Sequence, residues 1–363
     1  MYEYPVAVKL YPIPLLKNFF IKMFNMILRI FKAMALTGCF FCVYQVGFAQ
    51  ITDTVSVAMS DSGIVKPVPD NVTVKDNHFK TAGKVFRDLA LSVPGDFSEM
   101  GKEVSVHWKR SVAYTAGVGL LILADKPVTR FHQDVVERYV DYKLPSLPSV
   151  KLIKGVNLLY GIDLYLAYPL GALYAGSLAA NYKTGQRASL NSFKAMAYSY
   201  IITQIVAKSI FARQRPDLTL SNPNDPLGEE FSRNPYDFFN FRPIRFEGGG
   251  YATSFPSFHA TAYYAVAKVL AMEFNNYWIP YSAVTIVFLS SLRAHQHWVS
   301  DMVAGGLLGT VIGHGVVMGT RRLEKRRSEK IQRLSSKKKP RIEYSIIPSI
   351  SFSGVGVNLH ASF

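Results

Sequence analysis

Residues 298–319 read WVSDMVAGGLLGTVIGHGVVMG, an apolar run that carries one carboxylate, Asp301, near its start and runs into a block of cations at its end. Twenty-two residues without Pro and with one acid predict a helix of membrane-spanning length. A carboxylate at the head of such a helix is costly in apolar surroundings, so it needs a task. Working outward, similar apolar windows predict helices at about 277–293, 257–274, 192–211 and 156–180, several rich in Tyr, Gly and Ala, as packed membrane helices are. The shorter window 112–124 dips into a membrane rather than crossing it. The fold predicted is all-α, a helical bundle of about five to six apolar helices, followed by a short C-terminal β segment at 342–363, where apolar and small polar residues alternate.

The hydrophobic content of 49% exceeds that of an ordinary soluble enzyme. Membrane association is therefore expected. The formal charge of +16 resembles a nucleic-acid signature until it is located. Arg321–Arg341 alone holds eleven Lys/Arg against two Glu. A basic block directly after an apolar helix reads as a cytoplasmic flank or an anionic-lipid contact, and nucleic acid is not an expected partner.

Both cysteines, Cys39 and Cys42, fall in an apolar N-terminal stretch preceded by Lys17, Lys22, Arg29 and Lys32. That layout predicts a signal peptide over 1–49, with cleavage near Ala49 and no cysteine left afterwards. The expected order is then an exported lead-in with amphipathic helices (50–110), a catalytic domain (111–320), a basic segment (321–341) and the strand segment (342–363). With the basic block in the cytoplasm, the starts of helices 257–274 and 298–319 and the end of helix 192–211 all face the periplasmic side.

Chemistry-bearing residues gather at those three helix ends. Lys208 and Arg215-Pro216 place two cations at the end of helix 192–211, with Pro216 expected to stop it. Ser254-Phe255-Pro256-Ser257-Phe258-His259 opens helix 257–274, where free backbone N–H groups and a hydroxyl favour an anion, and where His259 can give a proton to a leaving oxygen. In Arg293-Ala294-His295-Gln296-His297-Trp298-Val299-Ser300-Asp301, His297 and Asp301 stand one turn apart, so the carboxylate can fix the tautomer that leaves a nucleophilic nitrogen. Taken singly, each cluster also reads as a snorkelling pair, a capped helix start or a surface His. Their order on successive helices is what carries information.

Lys-x6-Arg-Pro, Pro-Ser-x-His and His-x3-Asp in this order resemble the type 2 phosphatidic acid phosphatase and vanadium haloperoxidase superfamily over roughly residues 150–320. The resemblance implies a phosphatase acting on phosphate monoesters or pyrophosphates through a phospho-histidine, without metal or other cofactor. It implies that Lys208, Arg215, Ser257 and the backbone N–H of Phe258 bind phosphate, that His259 protonates the leaving group, that His297 attacks phosphorus and that Asp301 orients His297. Two positions depart from the family pattern. Phe258 stands where Gly is usual, which narrows access, and Ser291 stands where the pattern has Arg. Arg293, two residues on and roughly 200° around a helix, takes the phosphate-binding role in its place. The expected partners are a phosphorylated lipid or small phosphoester and the membrane. A haloperoxidase or a binding protein with a degenerate site are the alternative readings.

Overall fold

The central element of the computed structural model is a 38-residue helix, Val299–Ser336, against which two other helices lie in close contact. The structure describes residues 78–137, 144–148, 163–217, 219–222, 231–240, 253–289, 297–336, 343–351 and 354–362. The expected signal peptide, the lead-in up to residue 77, Ser291, Arg293 and the end of the basic segment at 337–342 lie outside them. In chain order the helices are α1 (His78–Leu91), α2 (Val93–Val106), α3 (Trp108–Leu123), α4 (Asp125–Phe131), α5 (Leu164–Ala179), α6 (Lys183–Ser199), α7 (Phe258–Phe274), α8 (Trp278–Leu289) and α9 (Val299–Ser336). Helix α6 continues through a π-helical stretch, Tyr200–Ala207, into a last α-helical turn, Lys208–Phe211. The all-α class and the short β segment are as expected: β3 (Glu343–Ser351) pairs antiparallel with β4 (Gly354–Ser362), from Glu343 opposite Ser362 to Ser351 opposite Gly354. A second, two-residue pair is parallel, β1 (Arg215–Pro216) with β2 (Phe231–Ser232).

Close approach of α7 and α9 sets the geometry of the bundle. Gly305, Gly309 and Gly313 recur every fourth residue on one face of α9 and meet the backbone of α7. A Cβ at Gly305 would stand 2.5 Å from the Ser257 carbonyl oxygen, and at Gly309 and Gly313 it would collide with the carbonyls of Thr261 and Ala265. Only glycine lets the helices cross this closely. Gly315 and Gly319 give α2 the same access, at Met100 and Asp96. Two apolar clusters fill the remaining space. One joins Leu166, Leu170, Tyr263, Tyr264, Tyr281, Phe288 and Met302, and the other joins Met100, Ala195, Tyr198, Val269, Ile312 and Val316.

Three differences from the expected helices have physical causes. Helix α6 begins at Lys183, not near 192, because its first turns are polar yet buried: Gln186, Ser189, Asn191 and Ser192 are inaccessible. Their hydroxyls are satisfied, Ser192 within the helix on the Ala188 carbonyl at 2.8 Å and Ser189 across to α5 on the Leu170 carbonyl at 2.7 Å. The helix ends at Phe211, as expected, but what stops it is Ala212, in a left-handed conformation (φ 40°), and Pro216 lies beyond in β1. Helix α9 runs on to Ser336 through the basic residues, since Leu, Glu, Lys, Arg and Gln all favour helix. Arg322 pairs with Glu99 at 2.6 Å and Arg327 pairs with Asp88, tying this extension to α1 and α2. Among the described residues α9 alone is long and apolar enough to cross a membrane, and 56% of its apolar window is buried within the protein. Helix α3, by contrast, buries no residue and leaves Val112, Leu120 and Leu123 exposed.

Candidate active site

The glycine crossing brings the N-termini of α7 and α9 side by side, so that the Ser257 N–H donates to the Asp301 carbonyl at 3.0 Å. Ser257 is the N-cap of α7, extended in conformation, and its hydroxyl accepts from the Ala260 N–H at 3.4 Å. Its own N–H is thus engaged, whereas the hydroxyl, which accepts here, keeps a hydrogen to donate. The first-turn N–H groups of Phe258 and His259 have no acceptor within the helix and are what this terminus offers to an anion. Phe258 packs edge-on against Tyr200, 5.8 Å between ring centroids, and forms an aromatic wall beside His259.

His297 lies two residues ahead of α9. Its Nδ1 stands 3.0 Å from the Ser254 carbonyl oxygen, which can only accept, so Nδ1 carries the proton and Nε2 has the lone pair. Asp301 Oδ2 is 3.9 Å from the same nitrogen, longer than a hydrogen bond. The expected direct carboxylate–imidazole bond is therefore replaced by a carbonyl contact with the carboxylate behind it. Asp301 spends its oxygens elsewhere, Oδ2 on the Trp298 N–H at 2.9 Å and Oδ1 on Arg213 at 2.6 Å.

Arg213 is the residue that the sequence motifs did not reveal. It is fully buried, and its guanidinium donates to Asp301, to Asp125 Oδ2 at 2.7 Å, to Ser300 Oγ at 2.8 Å and to the Pro235 carbonyl at 2.6 Å. It also lies over the rings of Phe238 and Trp298, 4.7 and 5.0 Å from their centroids. Asp125, at the start of α4, accepts in turn from the Ser300 N–H at 3.0 Å. One cation and two carboxylates thereby fasten α4, the loop at Pro235 and the head of α9 together. The chain after Arg213 then runs beside the loop ahead of α7: the Ser254 N–H donates to the Arg213 carbonyl at 2.8 Å, and Gln214 bridges Thr253. This contact sets the Ser254 carbonyl beneath His297.

Lys208, in the last turn of α6, is buried, and Arg215 follows on β1, half-buried. Burial, and then the Arg215 charge, push the Lys208 ammonium down to about 7, with Asp301 acting in the opposite direction. Burial, followed by the charges of His297, Lys208 and Arg215, holds His259 well below the ordinary imidazole range, although part of its ring edge is open to solvent. Burial is also the first cause of the lowered value of His297; Asp301 opposes it and the two cations reinforce it. Four proton-binding groups from three segments therefore stand close enough to repel one another's protons. Such a cluster favours a bound anion.

The structure thus brings Lys208, Arg215, Ser257, Phe258, His259, His297 and Asp301 to one end of the bundle. A further carboxylate not singled out from sequence, Asp163, faces His259 from the head of α5. Arg213 and Asp125 gave one faint signal each: a second Arg two residues before Arg215, and a lone acid closing the apolar stretch 112–124.

Comparison with known proteins bears on this same segment. Residues 189–324 match the model of the PAP2 superfamily, a span that runs from α6 into the basic half of α9 and contains every motif residue named above. No curated protein and no solved structure matches the chain.

Proposed function

From the PAP2 superfamily segment at residues 189–324, which supports phosphatase-type activity on phosphoesters, we propose that the protein is a metal-independent phosphatase using His297 as nucleophile. The observation that carries the reading is the crowding of Lys208, Arg215, His259 and His297 at one end of the bundle, where Arg215 depresses the proton affinity of the other three and Lys208 that of both imidazoles. Phosphoryl transfer needs cations around the equatorial oxygens, a nucleophile in line and an acid opposite it. Lys208, Arg215 and the first-turn N–H groups of α7 hold the phosphate oxygens, and Arg293 adds a further guanidinium.

Nε2 of His297 attacks phosphorus, the P–N bond forms as the ester P–O bond breaks, and His259 gives its proton to the leaving oxygen. Water then attacks the phospho-histidine, His259 takes the water proton, and inorganic phosphate departs as the P–N bond breaks. Nδ1 of His297 keeps its proton throughout, held by the Ser254 carbonyl and by the charge of Asp301. Arg213 keeps Asp301 in place.

The surroundings support one substrate class. The apolar length of α9, the uncovered apolar face of α3 and the basic extension after residue 320 favour an amphiphilic phosphate at a membrane surface, with the site facing the exported side. The test is phosphate release by the purified protein in detergent from lipid phosphates, isoprenyl pyrophosphates and a soluble aryl phosphate. Release that persists in EDTA, that vanadate blocks and that His297→Ala removes is expected. No release from any substrate, or release undiminished in His297→Ala, overturns the reading.

A further inference from the structure

Asp163 lies just ahead of α5, outside the superfamily segment, and is nine-tenths buried. It occupies the N-cap position of α5 but makes no capping hydrogen bond, so the ordinary structural task of an Asp at that place is not filled. Its Oδ1 has no hydrogen-bond partner among the described residues, and His259 Nε2 stands 3.6 Å from it. A buried carboxylate oxygen without a donor is costly. A small turn of the imidazole, shortening the contact by about half an ångström, would supply that donor.

We propose that Asp163 is the positioning residue of His259: its carboxylate receives one ring N–H and leaves the other ring nitrogen to face the leaving oxygen. This rests on the reading of His259 as general acid. The groups facing His259 are His297, Lys208 and Arg215, all of which repel a proton, and Asp163, which attracts one. Facing Asp163 are His259 and Tyr263, one turn further along α7. Without a carboxylate on this side, His259 enters the reaction as the poorly protonated base that its cationic neighbours favour. With it, the imidazole is held in one orientation, and the arriving phosphate dianion supplies the charge that lets it carry the proton. Burial pushes the Asp163 carboxyl up to about 6, so it is largely ionised at neutral pH and available for this task.

A positioning role for the acid is separable from a structural one by the leaving group. Phenyl phosphate needs a proton on its departing oxygen, and 2,4-dinitrophenyl phosphate does not. The experiment measures kcat/KM on both esters for the wild type, Asp163→Asn, Asp163→Glu and His259→Asn. Asp163→Asn is expected to lower kcat/KM at least about tenfold on phenyl phosphate and less than about threefold on the dinitrophenyl ester. Asp163→Glu should regain most of the loss, and His259→Asn should show the same selectivity more strongly. Equal losses on both esters in Asp163→Asn, or no loss on either, overturn the proposal while leaving His259 its role if His259→Asn remains selective. Loss of selectivity in His259→Asn removes the acid itself, and the proposal with it.

Discussion

The two ends of the bundle treat buried charge in opposite ways. Beneath Gly319, Asp96 meets Lys194 at 2.8 Å and the Tyr198 hydroxyl at 3.0 Å, while Arg187 lies between Glu273 at 2.7 Å and Glu324 at 3.1 Å. Each of these cations faces a carboxylate. At the head of α9 one cation, Arg213, is paired twice over, but Lys208 has no carboxylate within ion-pair distance among the described residues and faces Arg215 instead. Burial lowers the proton affinity of both Lys194 and Lys208; the Asp96 charge opposes this at Lys194, and the Arg215 charge adds to it at Lys208. Pairing uses charge to hold helices together, whereas crowding like charges leaves a demand for an anion. The paired cations, Lys194 and Arg187 at the far end and Arg213 at the near end, build the bundle, and the proposed function gives the crowded Lys208 to a phosphate.

Removing a paired cation at each end gives the largest contrast. Arg213→Met strands Asp125 and Asp301 in the interior and should cost about 3–5 kcal/mol in denaturant unfolding, together with turnover, because Asp301 loses its anchor. Lys194→Met should also destabilise, but its folded fraction should keep the wild-type kcat/KM. Lost activity in folded Lys194→Met protein would erase the distinction between the ends.

A smaller effect is expected at the helix crossing. Gly309→Ala places a methyl group against the Thr261 carbonyl, so α7 and α9 must separate. A cost of about 1–3 kcal/mol is expected, with a fall in kcat because these two helices carry His259 and His297. Gly117→Ala on α3, where an added Cβ meets nothing within 4 Å, should be neutral or slightly stabilising by thermal melting. Equal effects at the two glycines would mean that the crossing does not set the site.

The smallest effect concerns pH. In the free protein Lys208 is held down to about 7, and a bound dianion raises its proton affinity, so binding takes up a proton above that pH. Affinity for tungstate, a dianion that does not itself titrate in this range, should therefore weaken as pH rises, by at most about tenfold per unit for one proton. Lys208→Arg should flatten the dependence. Calorimetry showing wild-type affinity constant from pH 6 to 9 would mean that Lys208 does not titrate in that range in the free protein.

Features with a local chemical signature were legible in the sequence. Ser257 after Pro256 announced the start of α7, Asp301 announced the start of α9, and the order of the clusters led to the superfamily. What long-range contacts decide was hidden. The polar first turns of α6 look like a loop until Ser189 is seen to bond α5, and although the end of that helix at 211 was legible, its stop at Ala212 rather than Pro216 was not. The change from apolar to basic after residue 320 looked like a structural boundary, yet α9 passes through it unbroken. Arg213 stood between two motif residues and acquired meaning only through Asp125, 88 residues away in sequence.

The central claim is that phosphate passes through a covalent bond to His297. Turnover of a phosphorus-32-labelled aryl phosphate, quenched rapidly in base and followed by peptide mapping, tests this most directly. The wild type should carry an acid-labile, base-stable label on His297, His259→Asn should accumulate it when the leaving group is good, and His297→Ala should carry none. A label on any other residue, or sustained turnover by His297→Ala, would contradict the account.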